Sequence, residues 1–219
     1  MVKYLIIDFD STFIRKETLD ELSEICLNKI PNSKQILSEM KSITNKAMNG
    51  EMEFKHALIN RLRLINITRD DIEKVIRVVK NNITKSVSEN KSFFIKYYKN
   101  IFIVSGGFKE IIAPIVYPYN VKENHIIANS FLYKGPNVVG CNQQNDLLKN
   151  RGKVIAVNKL NLKGEIIVVG DGYTDYEIKK YNAAQTFIAF TENILRQSVV
   201  EKSDVIADNF NVVINEFLK

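Results

Sequence analysis

Two apolar runs at opposite ends of the chain each break off directly onto aspartate. Tyr4-Leu5-Ile6-Ile7 is followed by Asp8-Phe9-Asp10-Ser11-Thr12, and Ile166-Ile167-Val168-Val169 by Gly170-Asp171-Gly172-Tyr173-Thr174-Asp175. Unbroken apolar runs of this length read as strands buried on both faces. In an open parallel sheet the strand tips share one edge, so residues distant in sequence meet there. Four carboxylates at such an edge repel one another and resist ionising unless a cation or shared protons offset the charge. A hard divalent ion with oxygen ligands, Mg²⁺ above all, is the simplest solution. An aspartate beside that ion can act as a nucleophile on a phosphoryl group.

At 219 residues the chain is long enough for one substantial core with an inserted cap. No apolar run approaches the roughly 20 residues needed to cross a bilayer, so no membrane partner is expected. Met1-Val2-Lys3 enters a strand at once, and no secretory leader is expected. Cys26 and Cys141 lack metal-like spacing and read as free thiols of a reducing compartment, hence a cytoplasmic protein. The net charge of +6 comes from scattered lysines rather than a basic block, which reads as a solvated surface and not a nucleic-acid site.

Periodicity then divides the chain. Residues 17–80 read as helices with short breaks at Pro31-Asn32 and Asn49-Gly50. Their stripes are Leu19, Leu22 and Ile25 or Cys26; Ile36, Met40, Ile43 and Ala47; and Phe54, Leu58 and Leu62. Thr68 with Asp70 and Asp71 marks a fourth helix start. From residue 92 strands and helices alternate. A strand at 101–104 ends in Ser105-Gly106-Gly107, and a helix from 108 is interrupted by Pro114. Short strands are expected near 125–128, 130–133 and 138–141, and helices over 153–160, 174–181, 193–201 and 209–218. The pattern predicts an α/β fold: a doubly wound, mostly parallel Rossmann-like sheet, with a helical cap inserted after the first strand. The catalytic core would be 1–13 and 81–219, and the cap 14–80.

Asp8-Phe9-Asp10-Ser11-Thr12, Val104-Ser105-Gly106-Gly107-Phe108, a basic residue near Gly152 and Gly170-Asp171-Gly172 with Asp175 resemble, in order, the four motifs of the haloacid dehalogenase superfamily. More narrowly they resemble the phosphoserine phosphatases. The resemblance spans nearly the whole chain. It implies that Asp8 is the nucleophile, forming an aspartyl-phosphate, and that Asp10 protonates the leaving alkoxide and then activates water. It implies that Mg²⁺ is held by Asp8, the Asp10 carbonyl and Asp171, with Asp175 orienting that shell or binding through water. Asp175 would equally suit a helix's first turn on dipole grounds alone. Ser105 and the Gly106 amide would grip phosphoryl oxygens, Thr12 would brace the loop, and Thr174 would border the phosphate.

In the same family a glutamate after the first motif and an arginine in the cap bind the substrate's ammonium and carboxylate. Glu17 and Arg61 occupy those positions, while Met48 and Phe54 match the apolar pair that closes over the substrate. Glu17 as a helix-terminal charge and Arg61 as a solvated arginine are the plainer readings. Three departures stand out. Arg151 aligns with the family's phosphate-binding lysine, whereas Lys153, two positions on, matches it in charge type and is preferred here. Ile59 replaces a basic residue of the cap, and Tyr173 replaces a small one beside the substrate entrance.

The resulting expectation is a Mg²⁺-dependent phosphomonoesterase, monomer or homodimer, acting on O-phosphoserine. The alternatives are another small phosphorylated amine or alcohol as substrate, or a receiver-like protein in which phosphorylated Asp8 persists as a signal. Asp10 argues against the receiver, since a base two residues from the nucleophile speeds hydrolysis.

Overall fold

The computed structural model describes residues 2–28, 33–48 (the Met48 side chain excepted) and 51–219. The expected breaks at Pro31-Asn32 and Asn49-Gly50, and the Met48 side chain, lie outside the described residues. The strands are β1 (Lys3–Ile7), β2 (Ile101–Phe108), β3 (Ile126–Asn129), β4 (Phe131–Lys134), β5 (Asn137–Cys141), β6 (Glu165–Gly170), β7 (Thr186–Phe190) and β8 (Val205–Ala207). Six of them form one parallel sheet in the order β3-β2-β1-β6-β7-β8; β4 and β5 make a separate antiparallel hairpin.

The apolar runs are continuous because alternate residues feed two cores. Leu5, Ile7, Ile101, Ile103, Ile167 and Val169 face one side; Ile6, Phe102, Val104, Ile166 and Val168 face the other. Helices cover both sides: α1 (Thr18–Leu27), α2 (Ser33–Met48), α3 (Phe54–Arg63), α4 (Arg69–Lys80), α5 (Lys85–Glu89), α6 (Lys91–Lys96), α7 (Lys109–Val116), α8 (Gly152–Lys159), α9 (Tyr173–Lys180), α10 (Gln197–Val200) and α11 (Phe210–Leu218). The chain winds from β1 to β2 and β3 on one side and to β6, β7 and β8 on the other. The winding therefore reverses beside β1, and the loops at that edge diverge to leave a crevice.

Helices α1 to α4 form the expected insertion. Its outgoing and returning linkers pair with each other: Ile14 bridges Ile83, the Arg15 amide donates to Asn82 O at 2.8 Å, and the Thr84 amide to Phe13 O at 3.0 Å. Thr68 begins α4 through a reciprocal capping box with Asp71, as its position predicted. The hairpin also binds the insertion. The Val138 amide donates to Ile67 O and the Arg69 amide to Pro136 O, both at 2.9 Å, and the Arg69 guanidinium lies 3.7 Å over the Tyr133 ring.

Several local expectations give way to packing. Strand β2 continues to Phe108, so Gly106 and Gly107 are strand residues and the helix starts at Lys109. Pro114 sits within α7 rather than stopping it. Ile111, Ile112, Ile115 and Val116 are buried around it, and their packing outweighs the one backbone bond that proline removes. Of the helix expected over 193–201, only Gln197–Val200 forms. Arg196 is extended, with φ −112° and ψ 100°, because side chains of this segment bond elsewhere. Among the described residues no helix is long and apolar enough to cross a membrane.

Candidate active site

The end of β1 delivers Asp8 to the crevice, its amide bonded to Val169 O at 3.0 Å. The turn that follows places Ser11 in the left-handed region (φ 54°), a conformation a non-glycine residue holds only under restraint. The restraints are the Ser11 amide to Lys16 O at 3.2 Å and the Ile14 amide to Phe9 O at 3.0 Å. Asp10, one residue before, accepts the Thr18 amide on Oδ1 at 2.8 Å, so its carboxylate caps the first helix of the insertion.

Asp171 leaves the tip of β6 and Asp175 the first turn of α9. Carboxylate oxygens of Asp8, Asp171 and Asp175, all buried, lie within 4.8 Å of one another. Lys153, in the first turn of α8 and also buried, lies between two of them. Its Nζ is 2.7 Å from Asp175 Oδ1 and 2.8 Å from Asp8 Oδ1, the latter an ion pair whose oxygen has no directed hydrogen bond among the described residues. Asp175 Oδ2 accepts the Gly172 amide at 3.2 Å, and Thr12 Oγ1 donates to Asp171 Oδ1 at 3.3 Å. A Cβ on Gly170 would stand 2.3 Å from the Asp175 carboxyl, so that glycine is required for the aspartates to approach.

Opposite them, Ser11 Oγ donates to Glu17 Oε1 at 2.7 Å. Arg61, 5% exposed, pairs with Asp20 at 3.3 Å and leaves its Nε without a partner among the described residues. Thr44 supports the same Asp20 oxygen at 3.2 Å. Ser105 is buried, and its hydroxyl accepts the Gly107 amide at 2.9 Å. The Phe54 ring lies so close over Gly106 that a Cβ there would stand 2.3 Å from it. The space enclosed by Asp8, Asp10, Glu17, Arg61, Ser105 and Phe54 is a cavity of about 30 Å³. A vestibule of about 530 Å³ lies beyond Phe54; Gly106, Lys153 and Thr174 border both spaces.

Crowding sets the electrostatics. Burial, followed by the Asp8 carboxylate, pushes Asp10 up to about 7. The same two causes push Asp175 up to about 8 against the pull of Lys153. Asp171 is raised by burial and Asp8, and Glu17 well above the carboxylate range by burial, Asp10 and Asp171. For Lys153 burial opposes the charge, but Asp175 and Asp8 outweigh it and hold the ammonium above its ordinary value. Acidic groups outnumber the cations Lys153, Arg61 and Arg196 around them. Buried hard oxygen donors with excess negative charge, one of them without a directed hydrogen bond, fit a divalent cation.

Against known proteins the likeness runs the length of the chain. The phosphoserine phosphatase of Homo sapiens is 32% identical over 215 residues, spanning 95% of this chain and 90% of that protein. The phosphoserine phosphatase of Methanocaldococcus jannaschii is 29% identical over 217 residues, spanning 93% and 94%. The chain belongs to the phosphoserine phosphatase family. A solved phosphoserine phosphohydrolase-like protein from Francisella tularensis superposes with a TM-score of 0.88 at 29% identity, over 98% of this chain and 99% of that one. A phosphoserine phosphatase solved as a phospho-aspartyl intermediate analogue superposes at 0.77 with 25% identity, over 99% of each chain. No protein-family model matches the chain. Membership makes the protein a phosphoric monoester hydrolase of the haloacid dehalogenase type, which excludes the receiver reading.

Within this phosphatase the two candidate cations part company. Arg151 adopts a left-handed backbone (φ 56°) at the start of α8 and lays its guanidinium 3.8 Å over the Tyr181 ring, on the vestibule side. Lys153, two residues on, is the cation at Asp8. Tyr173 lines the vestibule and accepts Lys180 Nζ at 3.1 Å.

Sequence reasoning missed two residues of this edge. Arg196 Nε donates to Asp171 Oδ2 at 3.0 Å, and Asn193 reaches the loop after Asp8. Asn193 before a short apolar pair and Arg196 is the available signal, but a helical period runs through the same stretch and masks it.

Proposed function

We propose that this phosphatase hydrolyses O-phosphoserine with Mg²⁺, through a phosphoryl group carried on Asp8. The observation that carries the reading is the small cavity. Asp8, Asp10, Glu17 and Arg61, whose Nε has no partner among the described residues, all line this one space, so the nucleophile and two groups suited to an ammonium and a carboxylate face a common occupant. Asp8, Asp171 and the Asp10 carbonyl would hold the ion, with Asp175 orienting the set. When bound, Mg²⁺ would neutralise the carboxylates and withdraw charge from the phosphoryl oxygens.

The chain's own residues supply the rest. Lys153 and Ser105 steady the phosphoryl oxygens while Asp8 attacks. Asp10, whose raised pKa keeps a proton available near neutrality, gives it to the departing serine oxygen and afterwards takes one from water. Glu17 faces the ammonium and Arg61 the carboxylate. Residues 14–80 act as a cap on a core of 1–13 and 81–219, a division supported by the paired linkers; Phe54 over Gly106 shuts the cavity from the vestibule.

Arg61→Ala should lower kcat/KM for phosphoserine by about 10–150-fold, the loss of a charge-assisted contact of about 1.5–3 kcal/mol. An ester without a carboxylate should lose much less, and Glu17→Gln should behave likewise toward esters without the amine. Arg61→Lys guards against a pure folding defect, since Asp20 would otherwise be left unpaired. Equal losses on all substrates in these variants would assign the pair to cap structure and leave the substrate open.

The cations give a second test. Lys153→Ala should depress kcat on every phosphomonoester by about 10²-fold, because its partner is the transferring group. Arg151→Ala should change kcat by less than about threefold, as it removes a stacking contact worth about 0.5–1 kcal/mol. Steady-state rates on two unrelated substrates decide; an Arg151→Ala enzyme crippled alone would overturn the assignment.

A further inference from the structure

We infer that Asn193 pins the hinge of the insertion and, through Ser11, sets the position of Glu17, so that it is a positioning residue for substrate recognition. Its Nδ2 lies 2.7 Å from Thr84 Oγ1 and 3.0 Å from Ser11 O, with Thr12 O and Ile14 O at 3.4 and 3.5 Å. An amide nitrogen has two protons, so the two short contacts are its direct bonds and the others lie at the limit. The Thr84 hydroxyl that accepts one of them donates in turn to Thr12 O at 2.7 Å. A relay from Asn193 through Thr84 to Thr12 thus ties the returning linker to the outgoing one. The two linkers alone make a minimal two-stranded ribbon, which is marginal in water without further support. Asn193 supplies that support from outside both, on the segment after β7.

Its neighbours reinforce the placement: Glu192 accepts the Ser86 amide at 3.2 Å just beyond the hinge, and Arg196 holds Asp171. The second branch runs through Ser11. Asn193 holds the carbonyl of this left-handed residue while its hydroxyl holds Glu17 at 2.7 Å. Releasing the carbonyl frees the turn that aims the hydroxyl. Asparagine suits the task because two donors on a neutral group can face a cluster of carbonyl and hydroxyl oxygens. Aspartate would present only acceptors to them.

The recognition branch rests on the substrate reading above; the hinge branch does not. The test compares wild type with Asn193→Ala and, as a shape-preserving second variant, Thr84→Val. Kinetics are measured on phosphoserine and on nitrophenyl phosphate, which lacks amine and carboxylate, and amide hydrogen exchange is followed at Arg15 and Thr84. The expected result is a roughly tenfold or greater fall in kcat/KM for phosphoserine, carried mainly by KM. Nitrophenyl phosphate should change by less than about threefold, and exchange at both linker amides should accelerate about tenfold or more. Unchanged exchange in the folded variants, or equal losses on both substrates, overturns the assignment. A wild type that ignores phosphoserine sinks the substrate reading instead, and the exchange rates still judge the hinge.

Discussion

Asp8→Asn is expected to fold and to lose multiple turnover by on the order of 10³–10⁶-fold, the range for deleting a covalent nucleophile. Chelator should abolish wild-type turnover and added Mg²⁺ restore it. The amide preserves the shape of Asp8 while removing the charge that helps to raise Asp10, Asp171 and Asp175. That makes a second signature in metal-free protein. Asp10 and Asp175 are raised to about 7 and about 8, so the folded state binds protons that the unfolded chain has already released. Stability of the metal-free wild type should therefore fall as pH rises from about 4, where the unfolded carboxyls ionise, to about 8, and level off above. Asp8→Asn should flatten that decline. Denaturant melts at several pH values in chelator, beside steady-state rates with Mg²⁺, check both. Retained multiple turnover in folded Asp8→Asn would refute the covalent route.

Asp10→Asn should slow hydrolysis of alkyl phosphates by roughly 10²–10⁴-fold, the scale of general acid–base catalysis. The reason lies in the leaving group. A serine alkoxide is a poor leaving group and needs a proton as the bond breaks, and Asp10 carries one near neutrality because burial and Asp8 disfavour its anion. A nitrophenolate departs unaided, so the same variant should lose far less on nitrophenyl phosphate in the first step. Burst kinetics on the aryl ester should then show the phosphoryl-enzyme forming and emptying slowly. First-step losses of equal size on good and poor leaving groups would assign Asp10 to fixing the Thr18 amide rather than to proton transfer.

What was legible beforehand follows from which forces act locally. Unbroken apolar runs, capping at Thr68 and carboxylates at strand tips are short-range signals, and the sheet, the insertion and the Asp8, Asp10, Asp171 and Asp175 edge follow from them. Pro114 and the stretch 193–196 show the opposite case. Propensity asks whether a residue suits a helix in isolation, whereas Pro114 is held by the core around it, and Asn193 and Arg196 bond to loops far away in sequence. The Arg151 and Lys153 choice was similar. Charge type favoured lysine, but only the left-handed start of α8 shows why one side chain turns to Tyr181 and the other to Asp8. Helices α5 and α6, of five and six residues, are too short to carry a period.

The hairpin's bonds to the insertion bear on how such proteins can be rebuilt. Val138 N–H and Pro136 C=O are satisfied by Ile67 and Arg69, and Tyr133 lies under the Arg69 guanidinium. Excising residues 14–80 and closing the gap would therefore bare a strand edge and an aromatic face at once, the combination that recruits other chains. The helices are not an interchangeable part hung on two linkers. Any foreign replacement must bring its own donor and acceptor for the hairpin, or the hairpin must be exchanged together with it.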